Sequence, residues 1–114
     1  MPYINADDGR REALRAGEPA LSAGELNYQM FYDIKHNSFK SNLEGFVEQF
    51  LGTKRNYQKY NDLTGAIVRC ALEVERRLQG KEEQITWLLS ILESYNNEIA
   101  IYEDKKILEN TDVE

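Results

Sequence analysis

From Tyr57 onward the apolar positions recur every three or four residues. Tyr60, Leu63, Ile67, Cys70, Val74 and Leu78 form one row, and Arg77 shares its last position with Leu78. Ile85, Leu88, Leu92, Tyr95, Ile99 and Tyr102 form a second row, alternating three and four throughout. This is the spacing of one face of an α-helix. Gly80-Lys81 separates the rows and marks a turn. Two long helices, 57–78 and 81–108, are predicted to pack as an antiparallel pair along a narrow seam. Trp87, Leu89 and Ile91 make the second helix apolar nearly all round. That surplus predicts a second buried face, against the first hairpin or another chain.

The N-terminal half is less regular. Asn5 is a candidate cap for a short helix ending near Ala16, with Asp7 and Asp8 in its first turn, where negative charge suits the helix dipole. Gly17-Glu18-Pro19 stops it. Ser22-Ala-Gly-Glu25 has the form of a capping box and opens a helix carrying Leu26, Met30, Phe31 and Ile34 on one side. Ser41-Asn-Leu-Glu44 is a second box, with Leu43, Phe46, Val47, Phe50 and Leu51 at helical spacing and Gly52 as the stop. His36-Asn37-Ser38 interrupts the run, so 23–51 reads as one kinked helix or two. The fold class is all-α: one small helical bundle over 1–114. An arm and short helix occupy 1–21, the bundle 22–108, and a polar tail 109–114.

Composition adds limits. The only prolines are Pro2 and Pro19, so helices are unrestricted afterwards. The net charge is −6. Residues 1–57 carry seven basic and eight acidic side chains, and 58–114 carry seven and twelve, so the acidity lies in the second half. Such a chain lacks the broad basic footprint that phosphate backbones require, and no direct nucleic-acid binding is expected. A few cations could still hold a small anion. No apolar run resembles a signal peptide or a bilayer span, so a cytoplasmic protein without membrane contact is expected.

Catalytic chemistry finds no foothold. One histidine, His36, and one cysteine, Cys70, cannot make a zinc site. Glu44/Glu48 and Glu98/Glu103 lack the three-residue spacing with which helical nucleotide pyrophosphatases hold magnesium, and Glu109/Asp112 is expected in the polar tail. Cys70 lies on an apolar row without a neighbouring base and reads as core. The glycines are scattered singly, so no phosphate-cradling loop occurs. No cofactor and no enzymatic activity are expected. Seven tyrosines and the Arg76-Arg77 pair are better suited to recognition. The plainer reading places Tyr60, Tyr95 and Tyr102 on the seam and pairs the arginines with Glu73 or Asp104.

Several segments together resemble a family of short proteins of tailed phages and bacteria. They are Met1-Pro-Tyr-Ile4, Gly24-Glu-Leu-Asn-Tyr28, Tyr57 with Asn61-Asp62 and Gly65, Glu73 with Arg76-Arg77, and Tyr102 through Val113. Relative to the family, 32–48 and 79–101 are expanded, and Thr111 replaces a glycine. The resemblance implies a phage or bacterial origin and supplies no activity. It singles out the polar positions Asn27, Tyr28, Asn61, Arg76, Arg77, Asp104, Lys105 and Asn110, in one pocket or a fold-defining polar network, and the first seven are the candidate ligand- or partner-binding residues.

The expectation is a non-enzymatic interaction protein, a self-associating accessory protein that modulates a host factor in the host cytoplasm. Its oligomer interface is expected at Ile85, Trp87, Leu88, Leu89, Ile91, Leu92, Tyr95 and Ile99. One alternative is capture of an anionic nucleotide by Arg76, Arg77, Lys105, Tyr28 and Asn61. A second is an acidic nucleic-acid mimic.

Overall fold

A computed structural model describes residues 8–36 and 39–112. The chain forms six helices: α1 (Asp8–Arg15), α2 (Ala23–Lys35), α3 (Lys40–Leu51), α4 (Tyr57–Arg77), α5 (Glu82–Ser94) and α6 (Asn96–Asp112). Among the described residues there is no strand, and the all-α helical bundle follows. None of the helices is long and apolar enough to cross a membrane. Asn5, the Met1-Pro-Tyr-Ile4 segment, Asn37, Ser38 and Val113 lie outside the described residues.

The central helix is α4. One face carries Tyr60, Leu63, Ile67, Cys70 and Val74, all buried. Its most extensive contact is with α2, followed by α5. The α2 side brings Leu26, Met30 and Ile34, and α3 closes the core with Leu43, Val47 and Leu51. Cys70 is fully buried, and burial pushes its thiol well above the usual range, which leaves it an unreactive packing group.

Local signals explain most boundaries. Ser22 Oγ accepts from the Glu25 N–H at 3.2 Å, as its box predicts. Asn56 Oδ1 caps α4 through the Lys59 N–H at 2.9 Å. Gly52 takes a left-handed φ of 65° at the end of α3, a conformation glycine adopts without a side-chain clash. Lys59 Nζ donates to the Phe50 and Leu51 carbonyls at 3.4 and 3.2 Å, placing a cation on that C-terminus.

Three expectations are corrected. The Ser41/Glu44 box does not form: α3 starts at Lys40 behind Phe39, with no side-chain cap. The run 81–108 is not one helix. It breaks at Tyr95, where the weak helix formers Asn96 and Asn97 follow, and α6 begins at Asn96. That helix continues to Asp112, so 109–112 are helical rather than an irregular tail.

Candidate interaction surface and polar nodes

The expected oligomer interface is mostly interior. Leu88 and Ile91 are buried in the chain's own core. Ile85, Trp87, Leu92, Tyr95 and Ile99 are half-buried and pack against it. Of the eight residues only Leu89 is exposed, at 49%. The physical reason is position. Helix α5 packs against both α4 and α3, so it needs two apolar faces within one subunit. Lys40 Nζ, 3.3 Å from Ser90 Oγ, marks the α3 side.

Two apolar side chains are exposed side by side on the outer face of α4, Val68 at 42% and Leu72 at 61%. With Thr64, Gly65, Arg69, Glu73, Glu75 and Arg76 they line an open groove of about 940 Å³. At 100° per residue, Gly65, Val68 and Leu72 fall within about 40° of one line. Arg76 and Arg69 lie about 40° and 60° to one side of Leu72, and Glu75 about 60° to the other. Among the described residues neither Arg69 nor Glu75 has an ion-pair partner. A Cβ on Gly65 would meet nothing within 4 Å, so the subunit's own packing does not require glycine there.

The candidate binding residues do not converge. Arg76 and Arg77 both pair with Glu73, at 2.5 and 2.7 Å, which is the plainer sequence reading. Asn61 is exposed near the other end of α4, about 22 Å away at 1.5 Å per residue. Asp104 and Lys105 are exposed on α6, beyond Tyr102, whose hydroxyl donates to the Arg55 carbonyl ahead of α4. Asn27 and Tyr28 are buried in α2, where Arg15 Nε donates to the Tyr28 hydroxyl at 2.7 Å. A nucleotide pocket built from Arg76, Arg77, Lys105, Tyr28 and Asn61 is therefore not formed.

Sequence reasoning missed Arg55. It precedes α4 and gathers the tyrosines and acids of three helices. Its guanidinium donates to Glu48 Oε2 of α3 at 2.6 Å and to Glu98 Oε2 of α6 at 3.0 Å. Tyr60 donates its hydroxyl to the same Glu98 oxygen. Arg55 also stands 5.8 Å from the Tyr95 ring centroid, and Tyr102 packs 5.1 Å from Tyr60. The Tyr60 bond, then Arg55, holds the Glu98 carboxyl below the usual range against partial desolvation. Burial, reinforced by Glu48, pushes Tyr95 up to about 12. Every charge here meets an opposite charge or a phenol, so the cluster clamps α6 to the bundle. No short motif could have revealed it, because its members span residues 48–102.

A second node ties down α1. Arg10 forks onto Glu25 at 2.9 and 2.6 Å and donates to the Pro19 carbonyl at 3.0 Å. Gln29 is buried and donates to the Leu14 and Glu18 carbonyls at 2.7 and 2.9 Å. Among the described residues no group of three or more His, Cys, Asp or Glu could hold a metal ion.

No family model matches the chain, and no solved structure matches it. It is similar to vimentin A2 of Carassius auratus, 30% identical over 109 residues covering 88% of this chain and 44% of that protein. The chain thus spans less than half the length of the curated relative it matches.

Proposed function

We propose that this chain is a non-enzymatic interaction protein that works as an assembly of identical helical subunits. The observation that carries the reading is the α4 stripe of Val68 and Leu72, left open on a helix whose other faces are filled. Exposed leucine and valine at helical spacing gain free energy when a second helix covers them.

Charge favours a second copy as the occupant. The stripe has a basic side, where Arg69 stands beside the Arg76–Glu73 pair, and an acidic side, Glu75. A two-fold axis parallel to α4 sets the basic side of each copy beside the acidic side of the other. An antiparallel pairing sets like beside like. The assembly is therefore a parallel α4–α4 pair, with Gly65 allowing close backbone approach.

Light scattering at micromolar concentration tests the reading: a dimer or larger is expected, and Leu72→Glu yields monomers that retain full helicity. A parallel pair also brings each stripe residue to its own copy, so Val68→Cys and Leu72→Cys each form an intersubunit disulfide. A wild-type monomer at 100 µM overturns self-assembly, and cross-linking at only one position overturns the parallel arrangement.

The phage and bacterial resemblance extends the reading to an accessory role, the assembly acting on a host protein in the cytoplasm. A host-lysate pull-down comparing wild type with Leu72→Glu measures whether assembly and host binding are linked.

A further inference from the structure

A cavity of about 220 Å³ lies where α1, α2 and the start of α3 meet, away from the α4 stripe. Its walls combine three features. The first is aromatic. Tyr32 and His36 hold their rings 4.3 Å apart, Phe46 lines the α3 side, and Phe39 stands at the edge with 73% of its surface exposed. Phe39 gives α3 no side-chain cap and contributes nothing to the core.

The second feature is a cation with unused donors. Arg15 ends α1 with its guanidinium 4.9 Å from the Tyr32 ring centroid and Nε bonded to the Tyr28 hydroxyl. Among the described residues no carboxylate forms a salt bridge with it. Among the described residues its two terminal nitrogens make no hydrogen bond, which leaves a fork suited to phosphate or carboxylate.

The third feature is an unpaired acceptor. Gln29 lines the cavity, is 2% exposed, and spends its amide N–H groups on two backbone carbonyls. Those bonds fix which end of the amide is oxygen. Gln29 Oε1 is left buried with no hydrogen-bond partner among the described residues. Such a buried acceptor destabilises the fold unless something donates to it.

We propose that this cavity is a ligand site for a nucleoside monophosphate: a planar heterocycle with an N–H donor and an anionic group. The base stacks among Phe39, Phe46 and Tyr32, an N–H reaches toward the Gln29 end, and the phosphate meets Arg15 at the mouth. Asp33 also lines the wall. The site is independent of self-assembly, because none of its residues lies on α4.

Calorimetric titration of the full-length protein with guanosine, adenosine and uridine monophosphates tests the site. Inorganic phosphate alone and the nucleosides alone serve as partial probes. Saturable binding of at least one nucleotide is expected, with a melting temperature that rises with its concentration. Arg15→Ala and Phe39→Ala each weaken it by about tenfold or more, through a lost charge-assisted bond and a lost stacking face. Phe39 is exposed and outside the core, so Phe39→Ala keeps the wild-type melting temperature without nucleotide, whereas Arg15→Ala also loses the bond to Tyr28 and its binding is measured below its own melting transition. No binding by any nucleotide at millimolar concentration overturns the proposal, the cavity then holding water alone. Binding that both variants leave unchanged, or that phosphate alone matches, overturns it equally.

Discussion

The Arg55 guanidinium lies 3.0 Å from the Glu98 carboxylate and so joins the start of α4 to the first turn of α6 across 43 positions of sequence. Because Arg55 also holds Glu48 at 2.6 Å, it supplies one cation to two carboxylates from different helices. Removing it leaves both acids facing each other beside the Tyr95 ring. Arg55→Ala is expected to cost about 1–3 kcal/mol, the range for a lost charged hydrogen-bond network. Thermal unfolding followed by Trp87 fluorescence measures the loss. Hydrogen exchange should place the added opening in α6, and equal loosening of every helix would contradict the clamp.

Acid should weaken both nodes. Glu25, bonded first to Arg10, and Glu98, bonded first to Tyr60, both titrate below the usual carboxylate range. A depressed carboxyl stabilises the fold above its unfolded value and loses that contribution as pH falls through the folded one. The melting temperature should therefore drop as pH falls below about 5. Glu98→Gln should show a shallower drop than wild type. Parallel pH profiles for the two proteins would rule out the Glu98 contribution.

Alkali acts on the phenols. Burial first raises Tyr60, and burial with Glu48 pushes Tyr95 up to about 12. A raised phenol keeps its stabilising neutral form below the unfolded value, about 10, and loses that stability as pH rises through the folded one. Phenolate absorbance should show Tyr60 and Tyr95 ionising after the exposed tyrosines, together with unfolding. Tyr95→Phe should remove one late-ionising phenol, and an unchanged titration would count against the assignment.

Two glycines separate folding from assembly. Gly65 and Gly45 both sit inside helices, and a Cβ at either meets nothing within 4 Å. Replacement by alanine should stabilise the helix by about 0.5–1 kcal/mol in each case. Only Gly65 lies on the α4 stripe, so Gly65→Ala should also weaken self-association, whereas Gly45→Ala should leave it unchanged. Equal effects on association would remove Gly65 from the interface.

Leu88 tests the placement of α5. It is fully buried between helices of one chain. Leu88→Ala should destabilise the subunit by about 2–5 kcal/mol, measured by denaturant unfolding under conditions that keep it monomeric. Loss of assembly with subunit stability intact would return Leu88 to the oligomer interface.

Much of the fold is written in local pattern. Tyr60, Leu63, Ile67, Cys70 and Val74 announced α4 and its buried face because helix periodicity is a property of consecutive residues. Ser22 with Glu25, Gly17, Gly52 and Gly80 marked helix ends for the same reason: caps and left-handed turns involve neighbours only. The pairing of Arg76 and Arg77 with Glu73 was also legible, since all three share one helix.

What the sequence by itself determined about this protein is therefore its helical class, the inward face of each main helix and the interior fate of Cys70. Tertiary structure alone decided where the surplus apolar surface goes. The α5 residues that seemed free for a partner, Leu89 apart, are consumed in the subunit's own packing, and an open stripe falls on α4 instead. It also decided that Arg55 gathers Glu48 and Glu98 and that Arg15, Gln29 and Phe39 border one cavity. These arrangements depend on how helices dock, and docking is set by whole packed faces rather than by the spacing of residues within any one of them.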